Sequence, residues 1–326
     1  MISHLGTGTM SKQIGLMKFL VTGAFGNMPV EKTITTSIIL SIFHFIPLRM
    51  RKIFFKSLFV LFYYMIAKNR LITLHNLIRS FPEKQTDEII GIAKGVYRHF
   101  AIVLAEFFDL PYINRDNINK WIDVKGLENY RSAIAEGNGL LTIVAHLGNW
   151  ELMTIAVPMF LQPIHIVYRP LDNGILDNMV EYVRTIWDNS LIPKGKSEGK
   201  IIVLLQHNQL IGILSDQNVA VQEGVFVDFF GRPACTGVGL AALAMRSGSP
   251  VLPIFMVRQK SGKYNLVLKP AVKAVCTGDY EKDLFVNTQR FVKITEEVIR
   301  EYPEQWFWLH QRWKTQKCQL QNSPIS

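Results

Sequence analysis

Cysteine is scarce. The chain has 326 residues and only Cys235, Cys276 and Cys318, with no C-x-x-C pair among them. Neither a disulfide framework nor a thiolate zinc site can be built from that spacing, and a reducing compartment fits it. A long apolar run is also missing. Residues 33–48 are sixteen in a row without a formal charge, but Pro47 breaks them and a spanning helix needs about 20. They read as an interfacial helix or a tilted, marginal span. Residues 19–25 lack the small-x-small site that ends a secretory signal, so residues 1–29 read as a loose or membrane-adjacent leader. No internal repeat or low-complexity segment is present, and only the tail after Gln316 reads as disordered.

Acidic residues are absent between Pro47 and Pro82, where seven basic ones occur: Arg49, Arg51, Lys52, Lys56, Lys68, Arg70 and Arg79. They alternate with dense apolar clusters such as Phe54-Phe55 and Leu61-Phe62-Tyr63-Tyr64. Spread-out aromatics would suit stacked bases, whereas basic residues on an apolar helix suit anionic lipid, so a membrane surface is the expected partner and nucleic acid is not. The formal charge of +10 and a hydrophobic content of 48% agree with that reading.

From residue 121 onward, short apolar runs alternate with helical patterns. Strands are expected at 121–124, 139–145, 164–168, 210–214, 251–258 and 264–268, and helices at 86–108, 129–136, 150–161, 176–189, 198–207, 236–246 and 283–301. This order specifies an α/β fold, a mostly parallel central sheet covered by helices on both faces. The expected organisation is a membrane-associating helical segment at 1–80, a catalytic domain at 81–316 and a tail at 317–326.

The chain is organised around residues 139–151. A buried strand ends at His146, at the carboxyl edge where open α/β sheets place their chemistry. Asn149 is a helix N-cap candidate, and Glu151 falls in the first turn, where the macrodipole favours a carboxylate. Of the eight histidines, only His146 has an acid five residues on. On one continuous helix that pair would diverge, but a turn at Leu147-Gly148 would let Glu151 fold back onto the imidazole, fix its tautomer and leave the other nitrogen as a general base.

These residues carry a resemblance. His146-Leu147-Gly148-Asn149-Trp150-Glu151 resembles the H-x4-D/E block of the glycerolipid acyltransferases, in the H-x-G-N-W-E form of the lipid A late acyltransferases. Further matches follow in order: Val167-Tyr168-Arg169-Pro170, Ser215-Asp216-Gln217, Phe229-Phe230-Gly231, and Pro303-Glu304-Gln305-Trp306-Phe307-Trp308-Leu309-His310. The resemblance implies O-acyl transfer from a thioester of acyl carrier protein or CoA to a hydroxyl of a lipid A precursor, at the cytoplasmic face of the bacterial inner membrane. It implies no metal and no cofactor beyond the acyl co-substrate. The phosphatidylinositol mannoside acyltransferases share the histidine block, so another acceptor stays open, as does a lysophospholipid.

Arg169 follows a strand and would bind phosphate or steady an oxyanion, alone or with a backbone N–H of the Gly148 turn. Asp216 ends another strand and would orient Arg169 or the acceptor, or cap its own turn. Arg232, with the helix expected from Thr236, would offer positive potential to a phosphate. Arg312 and Lys314, beside three tryptophans, would face a headgroup or form a solvated helix end. Glu106 is expected to be a solvated or capping charge. Two motifs point to other classes. Gly195-Lys196-Ser197-Glu198-Gly199 matches a nucleophile elbow, which would make the protein a Ser197 esterase, but the preceding run is short and ends in proline. Gly237-Val238-Gly239 resembles a dinucleotide fingerprint without its strand. A non-catalytic lipid-binding protein is the remaining alternative.

Overall fold

A computed structural model describes residues 30–195 and 197–316. The leader at 1–29, the tail at 317–326 and Lys196 lie outside the described residues.

Leu140–Val144 (β2) shows why the sheet forms. All five residues are buried, with Leu141 and Ile143 in one apolar cluster and Leu140 and Val144 in the other. A strand apolar on both faces needs cover on both. Its one hydroxyl, on Thr142, donates to the Ile211 carbonyl at 3.2 Å.

Six further strands join it: β1 (Ile122–Lys125), β3 (Ile164–Tyr168), β4 (Ser190–Pro193), β5 (Leu210–Leu214), β8 (Val251–Arg258) and β9 (Tyr264–Leu268). Their order is β1-β9-β8-β2-β5-β3-β4. Every neighbouring pair is parallel except β8 and β9, which are antiparallel. The expected mostly parallel α/β sheet is what folds.

The helices are α1 (Ile34–Phe45), α2 (Leu48–Met65), α3 (Ala67–Ser80), α4 (Thr86–Phe107), α5 (Leu127–Ile134), α6 (Trp150–Phe160), α7 (Gly174–Thr185), α8 (Glu198–Gln206), α9 (Gly239–Ser247) and α10 (Tyr280–Glu301). The long α4 starts at a capping box, with the Glu88 carboxylate accepting from Gln85 N–H at 3.1 Å. Residues of α1 and α2 share a core with α5 to α7, and residues of α3 share one with α8 to α10.

Three expectations change. Residues 224–237 form a hairpin, β6 (Gly224–Phe229) and β7 (Arg232–Gly237), and Thr236 lies in a strand; it does not cap a helix. The turn at Phe230-Gly231 has φ of 57° and 70°, the left-handed pair that a two-residue type I′ turn requires. Phe230 N–H is held by Glu296 at 2.9 Å, which offsets a conformation phenylalanine disfavours. Second, the helix expected to reach Asn189 stops at Thr185, and β4 follows as an edge strand, where a terminal Pro193 costs no ladder bond. Third, Glu106 is buried: Lys52 Nζ lies 2.6 Å from one carboxylate oxygen, and Tyr264 donates to the other at 2.7 Å.

No described helix is long and apolar enough to cross a membrane. α1 spans only 12 residues. It is held by a buried junction in which Arg51 donates to the Ala105 carbonyl and to both oxygens of Asp109, while His44 Nδ1 lies 2.9 Å from the same carboxylate. Much of what α1 to α3 leave outside is apolar. Ile34, Ile38, Ile42 and Phe45 on α1, Ile53, Phe54, Leu61 and Met65 on α2, and Leu71 and Ile78 on α3 are all exposed.

Candidate active site

The register of β2 and β5 builds the site. Val144 lies opposite Leu214, so the residues two past each, His146 and Asp216, leave the sheet side by side at its carboxyl edge. Asp216 Oδ1 lies 2.8 Å from His146 Nδ1, and Oδ2 accepts from His146 N–H at 2.9 Å. Trp306 Nε1–H also donates to Oδ2, at 2.8 Å. Burial pushes the Asp216 carboxyl up, yet the adjacent imidazole and these three donors outweigh it and hold it at about 2. An ionised acceptor facing Nδ1 places the ring proton there and leaves Nε2 with its lone pair free.

Nε2 faces a cleft. Gln217, Trp306, Phe307 and His310 line it with the dyad, and Trp150 packs edge-on against the ring at 5.2 Å. The imidazole side chain is 21% exposed while Asp216 is 1%, so the ring is reachable and its partner is sealed. Gln217 Nε2 sits 3.5 Å from His146 Nε2. His310 Nε2 accepts from Asn218 N–H at 2.9 Å, which pins the turn after Asp216.

Glu151 is not where the sequence suggested. Its carboxylate is taken by Arg184, with Nε and Nη2 at 2.9 and 2.6 Å, and by Trp150 Nε1–H at 3.0 Å. The imidazole nitrogen it was expected to meet is filled by Asp216. The turn itself forms: Asn149 caps α6 by accepting from Leu152 N–H at 3.0 Å, and Gly148 has φ of 64°. A Cβ at Gly148 would stand 1.6 Å from the Met256 carbonyl oxygen, so only glycine fits.

The Gly148 N–H is unavailable to an oxyanion, because it donates to the Gln305 carbonyl at 2.9 Å. Arg169 is exposed at the end of β3 and has no hydrogen bond or ion pair among the described residues. β5 separates β3 from β2, which puts Arg169 about 10 Å across the edge from His146. Arg232 starts β7 with its guanidinium over the Trp313 ring, and no helix N-terminus opens beside it. Arg312, expected at a headgroup surface, is 1% exposed. It donates to Cys235 O and Thr236 Oγ1, and burial lowers its pKa to about 10.

Among the described residues, the Ser197 hydroxyl donates only to the Gly195 carbonyl, at 3.3 Å, and no histidine is bonded to it. Gly237-Val238-Gly239 links a hairpin strand to α9, outside the seven-stranded sheet. Among the described residues, no group of three or more His, Cys, Asp or Glu side chains is placed to hold a metal ion. Trp306, Gln217, His310 and Arg184 were given no role from sequence. The signal for the first three was their place within the matched blocks, whereas Arg184 sits in an ordinary amphipathic helix.

An open α/β sheet with a histidine and a buried aspartate side by side at its carboxyl edge is an arrangement suited to acid–base catalysis of group transfer or hydrolysis. The model of the bacterial lipid A biosynthesis acyltransferase family matches residues 28–315. The chain belongs to that family and is an acyltransferase. It is 28% identical to the lipid A biosynthesis lauroyltransferase of Escherichia coli K12 over 251 residues, covering 76% of this chain and 80% of the relative. With the palmitoleoyltransferase of the same strain it shares 25% over 252 residues, 77% and 80% of the two chains. A phosphatidylinositol mannoside acyltransferase of Mycobacterium tuberculosis H37Rv is 26% identical over 218 residues, 64% and 66% of the two chains.

Proposed function

We propose that the protein transfers a fatty acyl group from a thioester to a hydroxyl of a lipid A precursor or a closely related glycolipid. The observation that carries the mechanism is the His146–Asp216 pair, with Nδ1 engaged by the buried carboxylate and Nε2 met only by the Gln217 amide at 3.5 Å among the described residues. The acceptor hydroxyl gives its proton to Nε2 as its oxygen attacks the thioester carbonyl, and Asp216 stabilises the imidazolium. Collapse of the tetrahedral intermediate breaks the C–S bond, and the departing thiolate takes the proton back from His146. The acyl group passes directly from sulfur to oxygen, so no acyl-enzyme is needed.

Arg169 is assigned to the donor's phosphate groups or to the developing oxyanion. The carboxyl-edge position and the lack of any partner among the described residues support this. Glu151 is assigned to holding Trp150 against the imidazole and neutralising Arg184. The donor is acyl carrier protein or CoA thioester. The enzyme works at the cytoplasmic face of the inner membrane, with the exposed apolar residues of α1 to α3, the exposed Arg49 and Lys68 and the half-buried Lys56 against anionic lipid.

Mass spectrometry of lipids from cells with the parent gene, without it and with His146→Ala tests this reading. A glycolipid one acyl group heavier in the parent alone is expected; identical lipids in all three would defeat it. The likeness to the mannoside acyltransferase supports a second acceptor class, and the same spectra identify the acceptor. Purified protein offered labelled acyl-carrier and acyl-CoA thioesters in turn decides the donor.

A further inference from the structure

His310 shares the cleft with His146, Gln217 and Phe307. Its Nε2 accepts from Asn218 N–H at 2.9 Å. A backbone N–H can only donate, so Nε2 carries a lone pair and the ring proton of neutral His310 sits on Nδ1. Asn218 is itself fixed: its Nδ2 donates to Thr315 Oγ1 at 2.9 Å, and its Oδ1 accepts from Thr315 N–H at 3.2 Å. Burial, more than the opposing pull of Asp216, lowers the His310 pKa, and Arg312, His146 and Lys314 lower it further. The ring is therefore neutral at neutral pH. Nδ1 has no partner among the described residues, and it is not among the sealed side-chain nitrogens that lack one.

A thioester carbonyl attacked beside His146 needs donors for the charge that collects on its oxygen. The backbone of the histidine turn is already spent. His146 N–H is held by Asp216, and the N–H groups of Leu147, Gly148, Asn149 and Phe307 donate to the carbonyls of Ala145, Gln305, Met256 and His146. The two indoles beside the imidazole are taken as well, Trp306 by Asp216 and Trp150 by Glu151. Of the side-chain donors at the cleft, the Gln217 amide and His310 Nδ1–H stay available. The amide nitrogen lies 3.5 Å from His146 Nε2, beside the point where the acceptor oxygen would meet the carbonyl carbon.

We propose that Gln217 and His310 are the oxyanion donors of the acyl transfer, an inference that rests on the acyl-transfer reading of the His146 site. The acceptor oxygen bonds to the carbonyl carbon as its proton passes to His146 Nε2. The carbonyl π pair then moves onto oxygen, where Gln217 Nε2–H and His310 Nδ1–H hold it. When the C–S bond breaks, the pair returns to the carbonyl and both donors keep their protons. A neutral imidazole suits this task, because the same ring as a cation would repel the imidazolium forming on His146. Arg169 is then left to the donor's phosphate groups.

Asparagine and glutamine separate the two nitrogens of His310, since an Asn amide falls near the place of Nδ1 and a Gln amide reaches the place of Nε2. His310→Gln is expected to keep the Asn218 bond and the parent's melting temperature, yet lose about 10^2-fold in kcat with KM little changed. His310→Asn restores a donor at Nδ1 but gives up the Asn218 bond. It should melt earlier and stay about tenfold more active than His310→Gln, while Gln217→Leu should lose about tenfold in kcat. A histidine that merely pins the turn predicts the reverse order. His310→Gln at least as active as His310→Asn, or Gln217→Leu at the parent's rate, overturns the proposal. A second measurement reads the carbonyl itself, by infrared spectroscopy of a lauroyl thioester isotope-labelled at the carbonyl carbon. It is carried on acyl carrier protein and on CoA in parallel and bound to the full-length protein without acceptor. The stretching band should fall below its value in water on the parent and return toward that value on His310→Gln; the same band on both proteins overturns the contact. A parent that transfers no acyl group overturns the acyl-transfer reading and this site with it. A parent that transfers it no faster than His310→Gln overturns the donors alone.

Discussion

Which carboxylate serves the imidazole is decided by Asp216→Asn. In the parent, Asp216 accepts three bonds and carries the charge that faces His146. The amide keeps the shape but loses the charge. It can also turn its NH2 toward Nδ1, which would move the ring proton to Nε2 and disable the base. With charge centres about 4 Å apart at an effective dielectric of about 20, the lost attraction to an imidazolium is roughly 4 kcal/mol, about 10^3-fold in rate. Loss of the correct tautomer in an analogous Ser-His-Asp triad costs about 10^4. A kcat decrease of about 10^3 to 10^4 is therefore expected, with KM little changed, read by transfer of a labelled acyl group under saturating donor. Glu151→Gln breaks the ion pair with buried Arg184 and should lower stability by about 3 kcal/mol, seen as an earlier thermal midpoint, while the folded fraction turns over within about tenfold of the parent. The reasoning is wrong if Asp216→Asn keeps more than a tenth of the parent kcat while a fully folded Glu151→Gln is inactive.

Acid should destabilise the protein from about pH 6.5 downward. His99 is buried, and burial lowers its pKa to about 4 despite its bond to the Gly148 carbonyl. The unfolded chain therefore binds the extra proton between pH 6.5 and about 4, and stability falls on acidification through that window by about 3 kcal/mol. Urea midpoints from pH 7.5 to 4.5 measure this, and His99→Gln should flatten the slope; an unaltered slope would show that other groups carry it. Gly148→Ala should cost about 3 kcal/mol or more, because both the left-handed backbone and the Met256 carbonyl oppose a methyl; a variant with the parent's melting temperature would contradict the turn geometry. Replacing Arg49 and Lys56 by Gln should weaken binding to anionic vesicles about fivefold per residue, more at low salt than high, and a salt-independent effect would mean that the shoulder does not use charge.

Much of this was readable in the sequence where one local pattern governs. β2, β3, β5, β8 and β9 are apolar runs of five to eight residues bounded by turn formers, and no competing period obscures them. β6 and β7 were missed because Phe230-Gly231 lacks the usual Asn-Gly or Asp-Gly signal and Glu296, far along the chain, supports the strained residue. The site divides in the same way. His146 and the Asn149 cap are local and were legible. The pairing of His146 with Asp216 depends on β5 lying next to β2, and strand order is set by the packing of whole helices, which one sequence does not display. Glu151 was misassigned for the same reason: Arg184, which captures it, lies on α7, 33 residues away.

The turn bearing His146 is strapped by the far end of the chain. Gly148 N–H donates to Gln305 O, Phe307 N–H donates to His146 O, and Trp306 reaches Asp216. Without this segment the turn loses two backbone bonds and Asp216 loses one of its three donors. A chain truncated just before Gln305 should fail to transfer label, and an active truncated chain would disprove the coupling. In a chain so arranged, the imidazole and its carboxylate are held in place only once residues far apart in sequence have met.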